Sequence, residues 1–205
     1  MRIVFMGSPD FALPSLQILL QNNYDIVAIV TVPDKPAGRG LKVTSSSVKK
    51  FALQHKMKLF QPKLLSDINF VSELEKLNAD LFVVVAFRIL PPQIFNMPQS
   101  GSFNLHASLL PRYRGPAPIN WAIIRGEKET GVTTFFLREN VDTGNIILQR
   151  RIPIGPDDTA CEMHDKLSVL GAQVVLDTVK LIERGDVKSY PQDNSLSSSA
   201  PKIRK

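Results

Sequence analysis

The chain has 205 residues, enough for one sizeable core, with 43% hydrophobic and 21% charged residues, the ordinary balance of a globular protein. A net charge of +6 does not by itself require a polyanionic partner, and the lone Cys161 excludes an internal disulfide framework and a multi-cysteine zinc site. No apolar run approaches the ~20 residues of a spanning helix, and Met1–Met6 is too short for a secretory signal before Pro9 and Asp10, so the cytoplasm is the expected location.

Arg2 to Met6 reads as a buried strand, and Gly7-Ser8-Pro9-Asp10 as the turn after it. Leu13, Leu16, Leu19 and Leu20 recur at helical spacing, and Asp25 to Val32 is a second strand rich in Ile and Val. The opening is therefore β-α-β, the unit of a parallel sheet with right-handed crossovers. The first turn has a single Gly and lacks the G-x-G-x-x-G spacing of a dinucleotide site, which argues against a nicotinamide-dependent reductase.

Pro33 to Ser47 is a long loop in which Lys35, Arg39 and Lys42 outweigh Asp34. Composition describes a solvated surface loop, with a phosphate-contacting arm as the alternative that its length suggests. Val48 to His55 is predicted helical, Lys58 to Phe60 a short strand, and Asp67 to Leu77 an amphipathic helix. Asp80 to Ala86 is apolar on both faces, as a central strand of a parallel sheet should be. Gly101 to His106 is the next strand, Ile119 to Arg125 a helix, and Val132 to Leu137 with Ile146 to Ile152 an antiparallel pair. Thr159 and Glu162 have the spacing of a capping box. The helix they open should run to about Gly185, with Leu167, Leu170, Val174, Val175, Thr178 and Leu181 facing inward. The Ser-rich stretch from Gln192 has nothing to bury and reads as a linker or disordered end. The fold class is thus α/β, Rossmann-like: a mostly parallel twisted sheet with an antiparallel hairpin at one side and helices on both faces.

Asn104 and His106 lie two residues apart in a strand, so their side chains share a face. Asp142 follows about one strand later, beside Thr143-Gly144. Each has an ordinary structural explanation when taken singly. Together they supply an amide donor, a proton acceptor near neutral pH and a carboxylate to orient the imidazole, which suffices for acyl transfer without a covalent intermediate. The three histidines, His55, His106 and His164, show no H-x-x-x-H spacing, and no metal site is expected.

Four segments extend this reading: Met6-Gly7-Ser8-Pro9-Asp10-Phe11, Pro33-Asp34-Lys35-Pro36-Ala37-Gly38-Arg39-Gly40, Asn104-Leu105-His106-Ala107-Ser108-Leu109-Leu110-Pro111 and Val141-Asp142-Thr143-Gly144. In order and spacing they resemble the formyltransferases that use 10-formyltetrahydrofolate, and within them the methionyl-tRNA formyltransferase family. The resemblance runs from residue 1 to about 190. It implies formyl transfer from 10-formyltetrahydrofolate to the α-amine of methionyl-initiator tRNA, a translation-initiation reaction that needs no metal. Asn104, His106 and Asp142 would be catalytic. The resemblance places the folate near Phe87, Arg88, Ile89 and Leu90, near Ser108, Leu109, Leu110 and Pro111, and near Asn140. Many relatives carry Gly where Arg88 stands. Lys35, Arg39, Lys42, Arg112 and Arg114 would contact the tRNA, and the long loop becomes an arm toward the acceptor stem.

The same resemblance implies a catalytic domain over residues 1–190, and a linker or disordered tail over 191–205 leading toward a C-terminal tRNA-binding domain that the chain does not contain. Two rivals remain at this point. One is a formyltransferase for a small amine, such as an amino-sugar nucleotide or a ribonucleotide amine, which would not need the basic arm. The other is a non-catalytic RNA-binding module, which would not need an intact Asn104, His106 and Asp142.

Overall fold

A computed structural model describes residues 1–37 and 42–203 of the protein. The chain forms two compact units, Met1–Ser102 and Phe103–Lys205. The first holds strands β1 (Arg2–Gly7), β2 (Asp25–Val30), β3 (Lys35–Ala37), β4 (Lys42–Thr44), β5 (Leu59–Phe60) and β6 (Leu81–Val85). Its helices are α1 (Leu13–Gln21), α2 (Ser47–Gln54), α3 (Ile68–Glu75) and α4 (Pro92–Phe95).

Four of these strands pair in parallel in the order β5-β2-β1-β6. β1 and β6 pair side by side and are buried on both faces, which is why both read as unbroken apolar runs: Ile3 to Met6 are 0% exposed and Leu81 to Val85 at most 4%. Each such side chain contributes about 1.5–3 kcal/mol of burial energy. The helices begin where the sequence offers caps. Ser46 Oγ accepts the Lys49 N–H at 3.0 Å to start α2, and Asp67 Oδ1 accepts the Phe70 N–H at 3.0 Å to start α3. The short α4 was not expected from Pro91-Pro92, yet Pro92 occupies a first-turn position where its missing N–H costs nothing. The long loop also differs from expectation. Lys35–Ala37 and Lys42–Thr44 pair antiparallel as a small separate two-stranded sheet, because main-chain pairing tolerates Pro36 at an isolated edge.

The second unit holds β7 (Ser102–His106), β8 (Glu129–Phe136), β9 (Ile146–Pro153), α5 (Pro118–Ile124) and α6 (Ala160–Arg184). Its strands are antiparallel in the order β7-β8-β9. α6 packs on β8, β9 and α5. The capping box forms as the sequence predicts, with Thr159 and Glu162 exchanging hydrogen bonds, and Gly185 ends the helix at φ 72°. Leu167, Val174, Val175 and Thr178 are buried, whereas Leu170 and Leu181 are only half-buried and Ile182 takes an inner position. Gly171 lets the helix approach β7, since a Cβ there would stand 2.6 Å from Leu105 Cδ2.

Residues 190–201 correct the expectation of a disordered tail. Tyr190 exchanges backbone hydrogen bonds with Ile146 at 2.8 Å, Arg114 N–H donates to Ser198 O at 2.8 Å, and Ala200 N–H donates to Arg114 O at 2.7 Å. Trp121 Nε1–H donates to Pro201 O at 2.7 Å, and Ala200 is fully buried. Hydrogen bonding, rather than apolar burial, holds this polar segment in place. The parallel set and the antiparallel set, with their helices, make the mixed, mostly parallel, Rossmann-like α/β architecture that the sequence predicts.

Candidate active site

The site in the second unit is built on the end of β7. Asn104 pairs with Phe135 and His106 with Thr133 across the ladder to β8, and the alternation of the strand puts both side chains on one face. His106 is 6% exposed and Asn104 half-buried. The His106 Nε2 lies 2.8 Å from the backbone carbonyl of Tyr113. Because a carbonyl only accepts, Nε2 carries the proton, which leaves Nδ1 as the nitrogen that exchanges protons. Nδ1 stands 3.8 Å from Asp142 Oδ2, and both side chains are about nine-tenths buried. The sequence reading expected Asp142 to orient the ring. The ring's hydrogen-bond partner is the Tyr113 carbonyl, and the Asp142 carboxylate faces the opposite nitrogen.

Both partners depend on strained or constrained backbone. Tyr113 has φ 61° and Asp142 φ 56°, conformations that non-glycine residues adopt at a cost of about 1–3 kcal/mol and keep only where the surroundings enforce them. At Tyr113 the N–H donates to Ser198 Oγ at 2.9 Å, and the buried phenol donates to Glu127, which Arg112 also contacts. Burial, and then the bond to Glu127, push the Tyr113 hydroxyl above the usual phenol range. At Asp142 the carboxylate Oδ2 accepts the Gly115 N–H at 2.8 Å, while Gln192 Nε2 donates to the Asp142 carbonyl at 2.9 Å and to the Gly144 carbonyl at 2.8 Å. A Cβ on Gly144 would fall 1.6 Å from Phe136 O, so only glycine lets the turn close on β8.

Ser108, Leu109, Leu110 and Pro111 follow His106 directly. Ser108 is buried and donates to Arg112 O at 2.6 Å, so its hydroxyl is committed to the loop. Thr133 Oγ1 donates to Ser108 O at 2.6 Å and accepts the Leu110 N–H at 3.1 Å, while Gln149 Nε2 donates to Leu110 O at 2.7 Å. This network fixes the loop from β7 against β8 and β9. Asn140 is exposed, and its carbonyl accepts the Thr143 hydroxyl at 2.9 Å.

Of the other sequence-predicted residues, Arg112 pairs with Glu127, and Arg114 donates to Gln192 Oε1 and, at 2.8 Å, to Asn194 Oδ1. Phe87, Arg88, Ile89 and Leu90 belong to the first unit and leave the carboxyl end of β6. Leu90 is buried and Ile89 is 72% exposed. Arg88 donates to Pro62 O at 2.8 Å and Lys63 O at 3.0 Å, and lies 5.2 Å from the Phe87 ring. Burial pushes this guanidinium below the ordinary arginine value. Lys35 is exposed on β3; Lys42 lies on β4, and Arg39 falls outside the described residues. Sequence reasoning missed Tyr113, Gly115 and Gln192. The first two act through backbone atoms, and the third sits in a stretch with no periodicity.

A buried imidazole–carboxylate pair beside a strand-borne amide on an α/β scaffold has the proton acceptor and the hydrogen-bond donor that acyl-group transfer uses. A family model described as formyl transferase matches residues 1–179, and the chain belongs to the formyl transferase family. It is 53% identical over 209 residues to a methionyl-tRNA formyltransferase of Bacteroides fragilis, covering 100% of this chain and 64% of that protein. A methionyl-tRNA formyltransferase of Flavobacterium johnsoniae is 52% identical over 206 residues, covering 100% of this chain and 65% of that protein. The chain therefore spans a little under two thirds of the length of these relatives. Among solved structures, the N-formyltransferase of Helicobacter canadensis in complex with folinic acid and dTDP-3-aminofucose superposes with a TM-score of 0.76 at 26% identity, over 98% of this chain and 70% of that one.

Proposed function

We propose that this chain carries the catalytic part of an enzyme that transfers a formyl group from 10-formyltetrahydrofolate to the α-amine of methionyl-initiator tRNA. The observation that carries the reading is the His106–Asp142 pair at 3.8 Å, with Asn104 on the same strand face, in a chain about half identical to methionyl-tRNA formyltransferases along its whole length.

The amine nitrogen of the methionyl group attacks the formyl carbon and forms the new C–N bond, and the carbonyl oxygen becomes an oxyanion. Asn104 donates a side-chain N–H to that oxygen, a contribution of about 3 kcal/mol for a preorganised donor. His106 takes the amine proton at Nδ1, held by the Tyr113 carbonyl in the tautomer that leaves this nitrogen free. Asp142 stabilises the imidazolium so formed. The intermediate collapses by breaking the bond from the formyl carbon to folate N10, and Nδ1 returns the proton to that nitrogen. No covalent enzyme intermediate forms. The partners in this reading are initiator tRNA and the folate co-substrate, the compartment is the cytoplasm, and the Lys35, Arg39 and Lys42 arm with Arg112 supplies cationic contacts to phosphate. Among the described residues no helix is long and apolar enough to cross a membrane.

The test is transfer of labelled formyl from 10-formyltetrahydrofolate with methionyl-tRNA and an amino-sugar nucleotide present together as competing acceptors. Formyl-methionyl-tRNA as the product supports the reading. Product on the amino sugar alone, a compound of the kind bound in the Helicobacter canadensis structure, replaces the acceptor and leaves the site standing.

A further inference from the structure

Gln192 lies 50 residues from Asp142 in a polar tail, yet its side chain is spent entirely on the site. Its Nε2 donates to Asp142 O at 2.9 Å and Gly144 O at 2.8 Å, and its Oε1 accepts Arg114 Nε at 3.1 Å and Nη2 at 2.7 Å. Arg114 offers only donors and the two carbonyls only acceptors, so the amide has one orientation, and both hydrogens and both lone pairs are used. The two carbonyls flank Thr143 in the turn that sets Asp142 at φ 56°. That turn, together with the Gly115 N–H bond to Oδ2, sets the Asp142 carboxylate beside His106 Nδ1.

We infer that Gln192 is a positioning residue: locked by Arg114, it pins the 142–144 turn and so holds the Asp142 carboxylate against His106. The inference rests on the catalytic reading of Asp142 given above. It also changes the role of Arg114, whose guanidinium is a brace for Gln192 rather than a free cation for phosphate. Residues 190–201 thereby belong to the catalytic apparatus, because Ser198 holds the Tyr113 N–H while Tyr113 O holds the other imidazole nitrogen. One tail segment steadies both sides of the imidazole.

The isosteric Gln192→Glu separates positioning from mere attachment of the tail. A carboxylate keeps, and strengthens, the contact to Arg114, but turns an acceptor toward two carbonyl oxygens at under 3 Å. In the intact chain, Gln192→Glu is expected to lower kcat for formyl transfer by about 100-fold with KM changed less than about twofold, as a misplacement of roughly 1 Å would. The Gly115 amide proton, which reports the Asp142 carboxylate directly, should move upfield and exchange faster. This NMR signature needs no substrate, so it is read even if the wild-type chain transfers no formyl group to methionyl-tRNA. Gln192→Ala should show the same two effects. Wild-type kcat in Gln192→Glu, or an unmoved Gly115 amide in both variants, overturns the inference.

Discussion

The His106 ring donates through Nε2 to the Tyr113 carbonyl at 2.8 Å, and the same residue's N–H is tied to Ser198 at 2.9 Å. The imidazole is thus oriented by main chain, and the carboxylate of Asp142 is left for charge. Asp142→Asn makes this division measurable. The asparagine oxygen still accepts the Gly115 N–H, so the fold should persist, while the imidazolium loses its counter-charge. Turnover is expected to fall by about 100- to 10,000-fold, with an unchanged far-ultraviolet circular dichroism spectrum. A variant with near-normal turnover would assign Asp142 to the turn alone.

Tyr113→Phe should behave oppositely. The backbone carbonyl that holds His106 is untouched, and only the phenol bond to Glu127 is lost. Stability is expected to drop by about 1 kcal/mol, the usual net value of one hydrogen bond, with kcat within about twofold of wild type. Chemical denaturation beside steady-state rates checks both numbers.

Two glycines give a contrast in magnitude. Gly144→Ala drives a Cβ to 1.6 Å from Phe136 O, a backbone atom that cannot turn aside, and it displaces the turn that carries Asp142. Gly171→Ala meets Leu105 Cδ2 at 2.6 Å, the flexible end of a side chain. The first should cost about 3 kcal/mol or more and abolish turnover; the second should cost about 1 kcal/mol. Urea midpoints of the two variants test the order, and equal losses would show that the 142–144 turn has room it is not credited with.

Acid should loosen the base of the basic arm. Hydrogen bonds from Lys49, then Gln61, hold the Asp34 carboxyl below its ordinary value. A depressed folded value means the contribution is fully present above about pH 4, the unfolded aspartate value, and fades as pH falls through the folded value. The urea midpoint of Asp34→Asn should therefore lie below wild type at pH 7 and converge on it as the pH falls through the depressed folded value. A gap that stays constant with pH would place the loss in packing.

The legible parts of this protein are those with a period or a cap. β1 and β6 announced themselves as unbroken apolar runs, α6 through Thr159, Glu162 and Gly185, and the Asn104–His106 pair through alternation on β7. What stayed hidden acts through groups that every residue shares. The Tyr113 carbonyl and the Gly115 N–H are backbone atoms, and the left-handed φ at Tyr113 and Asp142 arises from tertiary hydrogen bonds rather than from residue type. The tail was misread for a related reason: its order comes from pairing with residues 114–117 and 144–146, which composition cannot express.

One substitution tests the basic arm. Arg39→Ala is expected to raise KM for methionyl-tRNA severalfold, as the loss of one phosphate contact does, and to leave folate affinity unchanged. Weakened folate binding would show that the loop serves the donor.

The most direct measurement is single-turnover formyl transfer from labelled 10-formyltetrahydrofolate to methionyl-tRNA by wild type, Asn104→Ala and His106→Ala. Formylated methionyl-tRNA from the wild-type chain, with each variant folded but slowed by about 100-fold or more, is the predicted result. Equal rates in all three would contradict the central claim that the β7 amide and imidazole carry the transfer.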